Sequence, residues 1–123
     1  MEKVFINIDG QERQLYFGIE ELADIERKEG KALSEILGNG TAKLAVGVTV
    51  TFLWAGLKRF SLEFKGDQGW YKAAETFELW LKKGDQTNKW FEVSVKLDKA
   101  LMASGTMEPP KPDEEIKNVS AGS

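Results

Sequence analysis

Hydrophobic and polar positions along the chain divide it into a short opening strand pattern, several helical stripes and one long apolar run. Val4-Phe5-Ile6-Asn7-Ile8 alternates with a strand's period of two. Asp9-Gly10 follows, and glycine accepts the positive φ that a two-residue hairpin turn requires. Gln11 to Phe17 returns as a second strand, with Leu15 and Phe17 on one face and Tyr16 on the other. An isolated hairpin is marginal, so it is expected to pack on helices. Gly18 breaks the strand. Ile19 to Glu29 then reads as a helix, with Ile19, Leu22, Ala23 and Ile25 close to one face. Its acids come first (Glu20, Glu21, Asp24) and its bases last (Arg27, Lys28), as the helix macrodipole favours. Gly30 is a natural stop, and Ala32 to Leu37 predicts a further short helical turn.

Thr41 to Phe60 dominates the pattern, because Leu44 to Leu57 carries no charge. As a helix that uncharged run rises roughly 21 Å, short of a hydrocarbon core of about 30 Å. A membrane span is therefore not expected. Val46, Val48, Thr49, Val50 and Thr51 are β-branched and would suit a strand, but the run is about twice as long as a typical buried strand. The pattern predicts a central buried helix, with Thr41 as its N-cap after Gly38-Asn39-Gly40 and Lys58-Arg59 at its C-terminal end.

Phe60-Ser61-Leu62-Glu63-Phe64 alternates like a short strand, and equally suits a frayed helix end or a loop. Gly66-Asp67-Gln68-Gly69 is a break in which Asp67 is a candidate cap. Trp70 to Lys83 predicts a helix on the stripe Trp70, Ala73, Ala74, Phe77, Trp80 and Leu81. Thr87 to Ser104 fits both periods. Phe91, Val93, Val95 and Leu97 alternate, yet the closing Asp98-Lys99-Ala100-Leu101-Met102-Ala103 favours helix, which is the preferred reading. Pro109, Pro110 and Pro112, followed by Asp113-Glu114-Glu115, mark a change of character. The expected organisation is α+β, an N-terminal β-hairpin followed by a mainly helical bundle around a central apolar helix. It comprises one domain over residues 1–104 and a flexible Pro-rich, acidic tail over 105–123.

Composition narrows the chemistry. The chain has no Cys and no His, which removes thiolate sites, the commonest general base and the commonest transition-metal ligand. A net charge of −3 with interleaved lysines offers no basic stripe for nucleic acid. Met1-Glu2-Lys3-Val4 leads directly into a strand pattern, so no signal peptide is expected. Gly38-Asn39-Gly40-Thr41-Ala42-Lys43 lacks the Lys-Ser/Thr ending of a phosphate-binding loop, since Leu44 follows the lysine. Glu20, Glu21, Asp24 and Glu114-Glu115 have no calcium-loop spacing and read as solvated faces. Asn118-Val119-Ser120 matches a glycosylation sequon, and nothing else in the chain points to secretion. An enzyme of this composition would have to work with carboxylates, Lys or Tyr, and no nucleophile–base pair is evident.

Three segments in succession carry a family resemblance. After the Asp-Gly hairpin come Phe17-Gly18-Ile19-Glu20-Glu21-Leu22-Ala23-Asp24-Ile25-Glu26 and Gly30-Lys31-Ala32-Leu33-Ser34-Glu35-Ile36-Leu37. An apolar helix closing on Phe52-Leu53-Trp54-Ala55-Gly56-Leu57 follows. The succession resembles the tail assembly chaperones of long-tailed bacteriophages, and among them the group that includes a gene-transfer-agent tail component. It covers residues 3 to 60 well and 70 to 104 more loosely, and Arg59 to Gly69 departs from the pattern. The resemblance implies a phage or prophage protein acting in the cytoplasm of the bacterial host. Its implied partners are the tape measure protein and tail tube subunits, with a homo-oligomer a further option. It also implies no catalysis, no cofactor and absence from the finished particle. A structural tail component (tube, terminator or connector) is the alternative. The tape measure is a long helical protein, so a groove receiving an amphipathic helix is the expected device. The candidate partner-binding residues are apolar positions that a small core does not need: Phe60, Phe64, Trp80, Trp90 and Phe91.

Overall fold

The computed structural model describes residues 2–38 and 40–107. Two strands open the chain, β1 (Val4–Ile8) and β2 (Gln11–Leu15). They pair antiparallel with Val4 opposite Leu15 and Ile8 opposite Gln11. Asp9 and Gly10 have φ of 56° and 82°, the left-handed pair that a type I′ turn demands. Five helices follow: α1 (Ile19–Glu29), α2 (Leu33–Ile36), α3 (Val46–Leu57), α4 (Gly69–Leu81) and α5 (Gln86–Ala103). This is the expected α+β architecture. No helix among the described residues is long and apolar enough to cross a membrane.

The hairpin buries Val4, Ile6, Ile8 and Leu15 on one face. Phe17 continues that face after the strand ends. β2 then meets the backbone of α3 directly, as Tyr16 N–H donates to Gly56 C=O at 2.8 Å. Gly56 makes this approach feasible: a Cβ there would sit 2.7 Å from Phe17 Cζ and 3.0 Å from Leu15 Cδ2. α3 is enclosed by α1, α4 and β2, and buries Val50, Thr51, Phe52, Leu53, Ala55 and Leu57. Burying a large aliphatic or aromatic side chain stabilises by about 1.5–3 kcal/mol, so this helix anchors the core. Buried Thr51 donates to Glu29 Oε2 at 2.7 Å and accepts from Trp70 Nε1–H at 2.9 Å, tying α1, α3 and α4 together.

Helix ends follow local chemistry. The Gly18 N–H donates to Glu21 Oε1 at 2.9 Å, which explains why Glu21 is buried while its neighbour Glu20 is exposed. Gly30 closes α1 in the left-handed region, φ 69°. Asp85 caps α5 by accepting from the Asn88 N–H at 3.2 Å. The segment expected over Thr87 to Ser104 is therefore helix from Gln86 to Ala103, with Ser104 as its C-cap, and its buried stripe is Val93, Leu97, Ala100 and Leu101.

Several expectations give way. The central helix starts at Val46, not Thr41, and ends at Leu57, not Phe60. Thr41–Lys43 is a 3-10 turn, and Leu44 and Ala45 are extended before α3 begins. Thr41 is not an N-cap, because its hydroxyl is engaged by α5. Ile19 is 87% exposed rather than on the buried face of α1, whose fully buried residues are Glu21 and Ile25. Leu62–Phe64 is a 3-10 turn that inserts Phe64 into the core, with Arg13 stacked 4.8 Å over its ring. Asp67 caps nothing, as α4 starts after Gln68 without a side-chain cap. Trp54 is half-buried, and its Nε1–H donates to Phe64 C=O at 3.1 Å. At the other end, Gly105 (φ 81°) turns the chain back, so that Thr106 N–H and Met107 N–H both donate to Leu101 C=O. Met107 packs against the core. The expected tail thus begins with residues that are still packed, and the rest of it, 108–123, lies outside the described residues.

A Cβ at Gly69 would lie 1.9 Å from Phe64 C=O oxygen. Helix propensity alone favours alanine there by about 1 kcal/mol, whereas the clash forces the Phe64 loop away from Trp54. We expect the clash to win, with Gly69→Ala losing more than about 2 kcal/mol in denaturant unfolding; a neutral or stabilised variant would show that this loop yields freely. A second expectation concerns Asp24. Burial raises its pKa, but hydrogen bonds from Lys58 and Arg27 outweigh that and hold it below the ordinary 3.8. A depressed folded-state pKa contributes stability above 3.8 that is lost as the pH falls through the lower folded-state value. Asp24→Asn should cost on the order of 1 kcal/mol at pH 7, and the difference from the parent should vanish in strong acid. Unfolding midpoints measured across that pH range check the sign.

Candidate partner-binding groove

The break at Leu44-Ala45 has a structural consequence. It leaves a groove of about 370 Å³ between the 3-10 turn and start of α3 on one side and α5 on the other. Leu44, Val46 and Thr49 form one wall, and Trp90, Phe91 and Leu97 form the other. Gly40 (φ 75°) delivers the chain into the 3-10 turn through a conformation that suits glycine.

A buried polar pin sets the groove's width. Thr41 Oγ1 lies 2.5 Å from Asp98 Oδ1, 3.0 Å from Ser94 Oγ and 3.2 Å from Ser94 C=O oxygen. Thr41 has one proton to give. The charged carboxylate at the shortest distance is its favoured acceptor, which leaves Ser94 to donate to Thr41. On the same wall, Thr49 donates back to Ala45 C=O at 3.1 Å. These hydroxyls are satisfied within the protein, so the groove presents mainly apolar surface to a ligand.

Trp90 and Phe91 divide the labour. The Trp90 ring meets Phe77 edge-on, with centroids 5.1 Å apart at 89°. That contact anchors it to the core while it also lines the groove. Phe91, one residue on, is 69% exposed, and Val46 across the groove is 63% exposed. Singly exposed apolar residues are ordinary on a protein surface, so what marks this site is that two of them flank one concave, mainly apolar groove.

The five residues expected to bind a partner do not form one surface. Trp90 and Phe91 lie together in the groove. Phe64 is a core residue at 1% exposure, and Trp80 is buried at 7% with Lys89 Nζ 5.3 Å from its ring centre. Both are residues the core does need, and neither is available to a partner in this fold. Phe60 is 55% exposed but sits elsewhere, edge-on to Tyr16 with centroids 6.1 Å apart. The sequence reading missed Leu44, Val46 and Thr49. An apolar run read as one continuous helix gives no sign that its first residues stand open to solvent. Among the described residues there is no group of three or more His, Cys, Asp or Glu placed to hold a metal.

Replacing the pin by Thr41→Val retains the shape and removes the hydroxyl, leaving Ser94 and Asp98 without it. We expect a loss of about 1–2 kcal/mol, together with increased hydrogen exchange over residues 41–45. Equal exchange in variant and parent would mean that the pin does not hold the wall.

No protein-family model, curated protein or solved structure matches this chain, so any function has to be argued from the surface just described.

Proposed function

We propose that this protein is a non-enzymatic tail assembly chaperone of a phage or prophage. In this reading it acts in the host cytoplasm and holds an amphipathic helix of the tape measure protein until the tail tube closes around it. The observation that carries the proposal is the groove with Phe91 and Val46 standing open on opposite walls. A helix lying there would insert side chains at i, i+3, i+4 and i+7 between α5 and the start of α3. Aromatic anchors beside satisfied polar groups suit such a contact, because binding strands few donors or acceptors. The order of elements that resembles the family supports the same reading. So does a chain without Cys or His, which leaves little for catalysis to use.

The test is a titration of the full-length chain with recombinant tape measure segments. Phe91→Asp and Val46→Asp change exposed positions, so their unfolding midpoints should stay near the parent's. Each should weaken binding at least tenfold, equivalent to about 1.4 kcal/mol. Parent-like affinity in both folded variants would dismiss the groove as the site. Mass spectrometry of purified particles tests the role itself. A protein released after assembly is missing from them, whereas stoichiometric retention would mark a structural tail component instead.

A further inference from the structure

The hairpin has two outer edges, and α3 meets only one of them. In a two-residue hairpin the closing pair, here Ile8 and Gln11, exchanges backbone hydrogen bonds in both directions. Alternation then turns the N–H and C=O groups of Val4 and Ile6 toward β2, and those of Phe5 and Asn7 away from it. Continued past β2, the same alternation turns Tyr16 outward, and its N–H reaches Gly56 of α3. The opposite edge, along β1, has no such neighbour. Among the described residues, Phe5 and Asn7 make no backbone hydrogen bond beyond the sheet. Phe5 is 39% exposed, and Asn7 is exposed as well.

Edge strands are ordinarily blunted by charge. β1 instead carries opposite charges at its two ends, Lys3 before it and Asp9 after it. Lys3 has no ion pair among the described residues, and Asp9 holds Lys83 through one carboxylate oxygen only. Two copies of β1 laid antiparallel about Ile6 bring Lys3 of each opposite Asp9 of the other, and Phe5 opposite Asn7. Phe5 and Asn7 are the residues whose outward groups then exchange hydrogen bonds across the two-fold axis. The two Phe5 rings become diagonal neighbours within aromatic reach. Neighbouring registers lose the match. Centring on Phe5 sets Lys3 opposite Asn7, and centring on Asn7 sets Phe5 opposite Asp9.

We infer that the outer edge of β1 is a docking site for a second copy of this chain, giving a two-fold dimer with one continuous antiparallel sheet in the order β2-β1-β1-β2. A ladder this short makes a small interface of the weak, reversible kind. No residue lining the α3–α5 groove belongs to the hairpin, so pairing at β1 uses none of it.

Sedimentation equilibrium of the full-length chain at low salt, in a series rising to about 1 mM, should show monomer and dimer in exchange. Phe5→Pro removes an outward N–H and no bond to β2, which an edge strand tolerates, and should weaken the dimer by about tenfold or more. Lys3→Glu, exposed and outside the strand, sets like charges opposite one another and should weaken it about fivefold, with an unchanged unfolding midpoint. Because the parent has no cysteine, mixing the Phe5→Cys and Asn7→Cys chains in a glutathione buffer reads the register, and the mixed disulfide should outnumber both symmetric ones. A parent that stays monomeric throughout would overturn the inference and leave the edge to a strand of another protein. A dimer that both Phe5→Pro and Lys3→Glu leave intact would place the contact elsewhere, and a preference for the symmetric disulfides would rule out this pairing.

Discussion

Everything else in this fold depends on how closely β2 approaches the backbone of α3. The Tyr16 N–H to Gly56 C=O bond fastens the hairpin to the central helix at one point. The absence of a side chain at Gly56 lets Phe17 and Leu15 close over it. A two-stranded hairpin is marginal on its own, and this contact turns it into one wall of the core. With the wall in place, Phe17 reaches Phe52 at 6.1 Å between ring centres and α3 is covered along most of its length. α1 and α4 then pack on α3, and α5 packs on β1.

The sequence was informative wherever a local cause set the structure. The Asp9-Gly10 turn, the Gly30 stop and the Trp70–Leu81 stripe were legible because positive φ and helical spacing leave their mark on residue type. The Thr87–Ser104 ambiguity came out as helix, where an Asp85 cap and the buried stripe from Val93 to Leu101 act together. Where tertiary contacts decide, the pattern misled. Thr41 has the residue type of a cap, but Ser94 and Asp98, more than 50 positions later, claim its hydroxyl. Phe64 resembled a surplus aromatic because nothing local reveals that Arg13 covers it, whereas Trp80 shares the apolar stripe of α4 with Phe77, three residues earlier, and that stripe was the sign of its burial.

The candidate site was half legible for the same reason. Trp90 and Phe91 stood out as aromatics on an amphipathic helix. The opposite wall lay hidden inside the most apolar run of the chain, where exposure is the least expected property. The interruption at Leu44-Ala45 breaks that run by conformation alone, since both residues remain apolar.

The Thr41–Asp98 pin joins segments far apart in the chain, and a surface assembled in that way does not exist before the fold does. Unfolded or half-folded copies lack the two facing walls, so only the completed domain presents the groove. Whatever occupies the groove therefore draws on the folding equilibrium and stabilises the domain by RT ln(1 + [L]/Kd). For any ligand of the groove, recognition therefore waits on closure of the core, and the bound ligand in turn resists the core's opening.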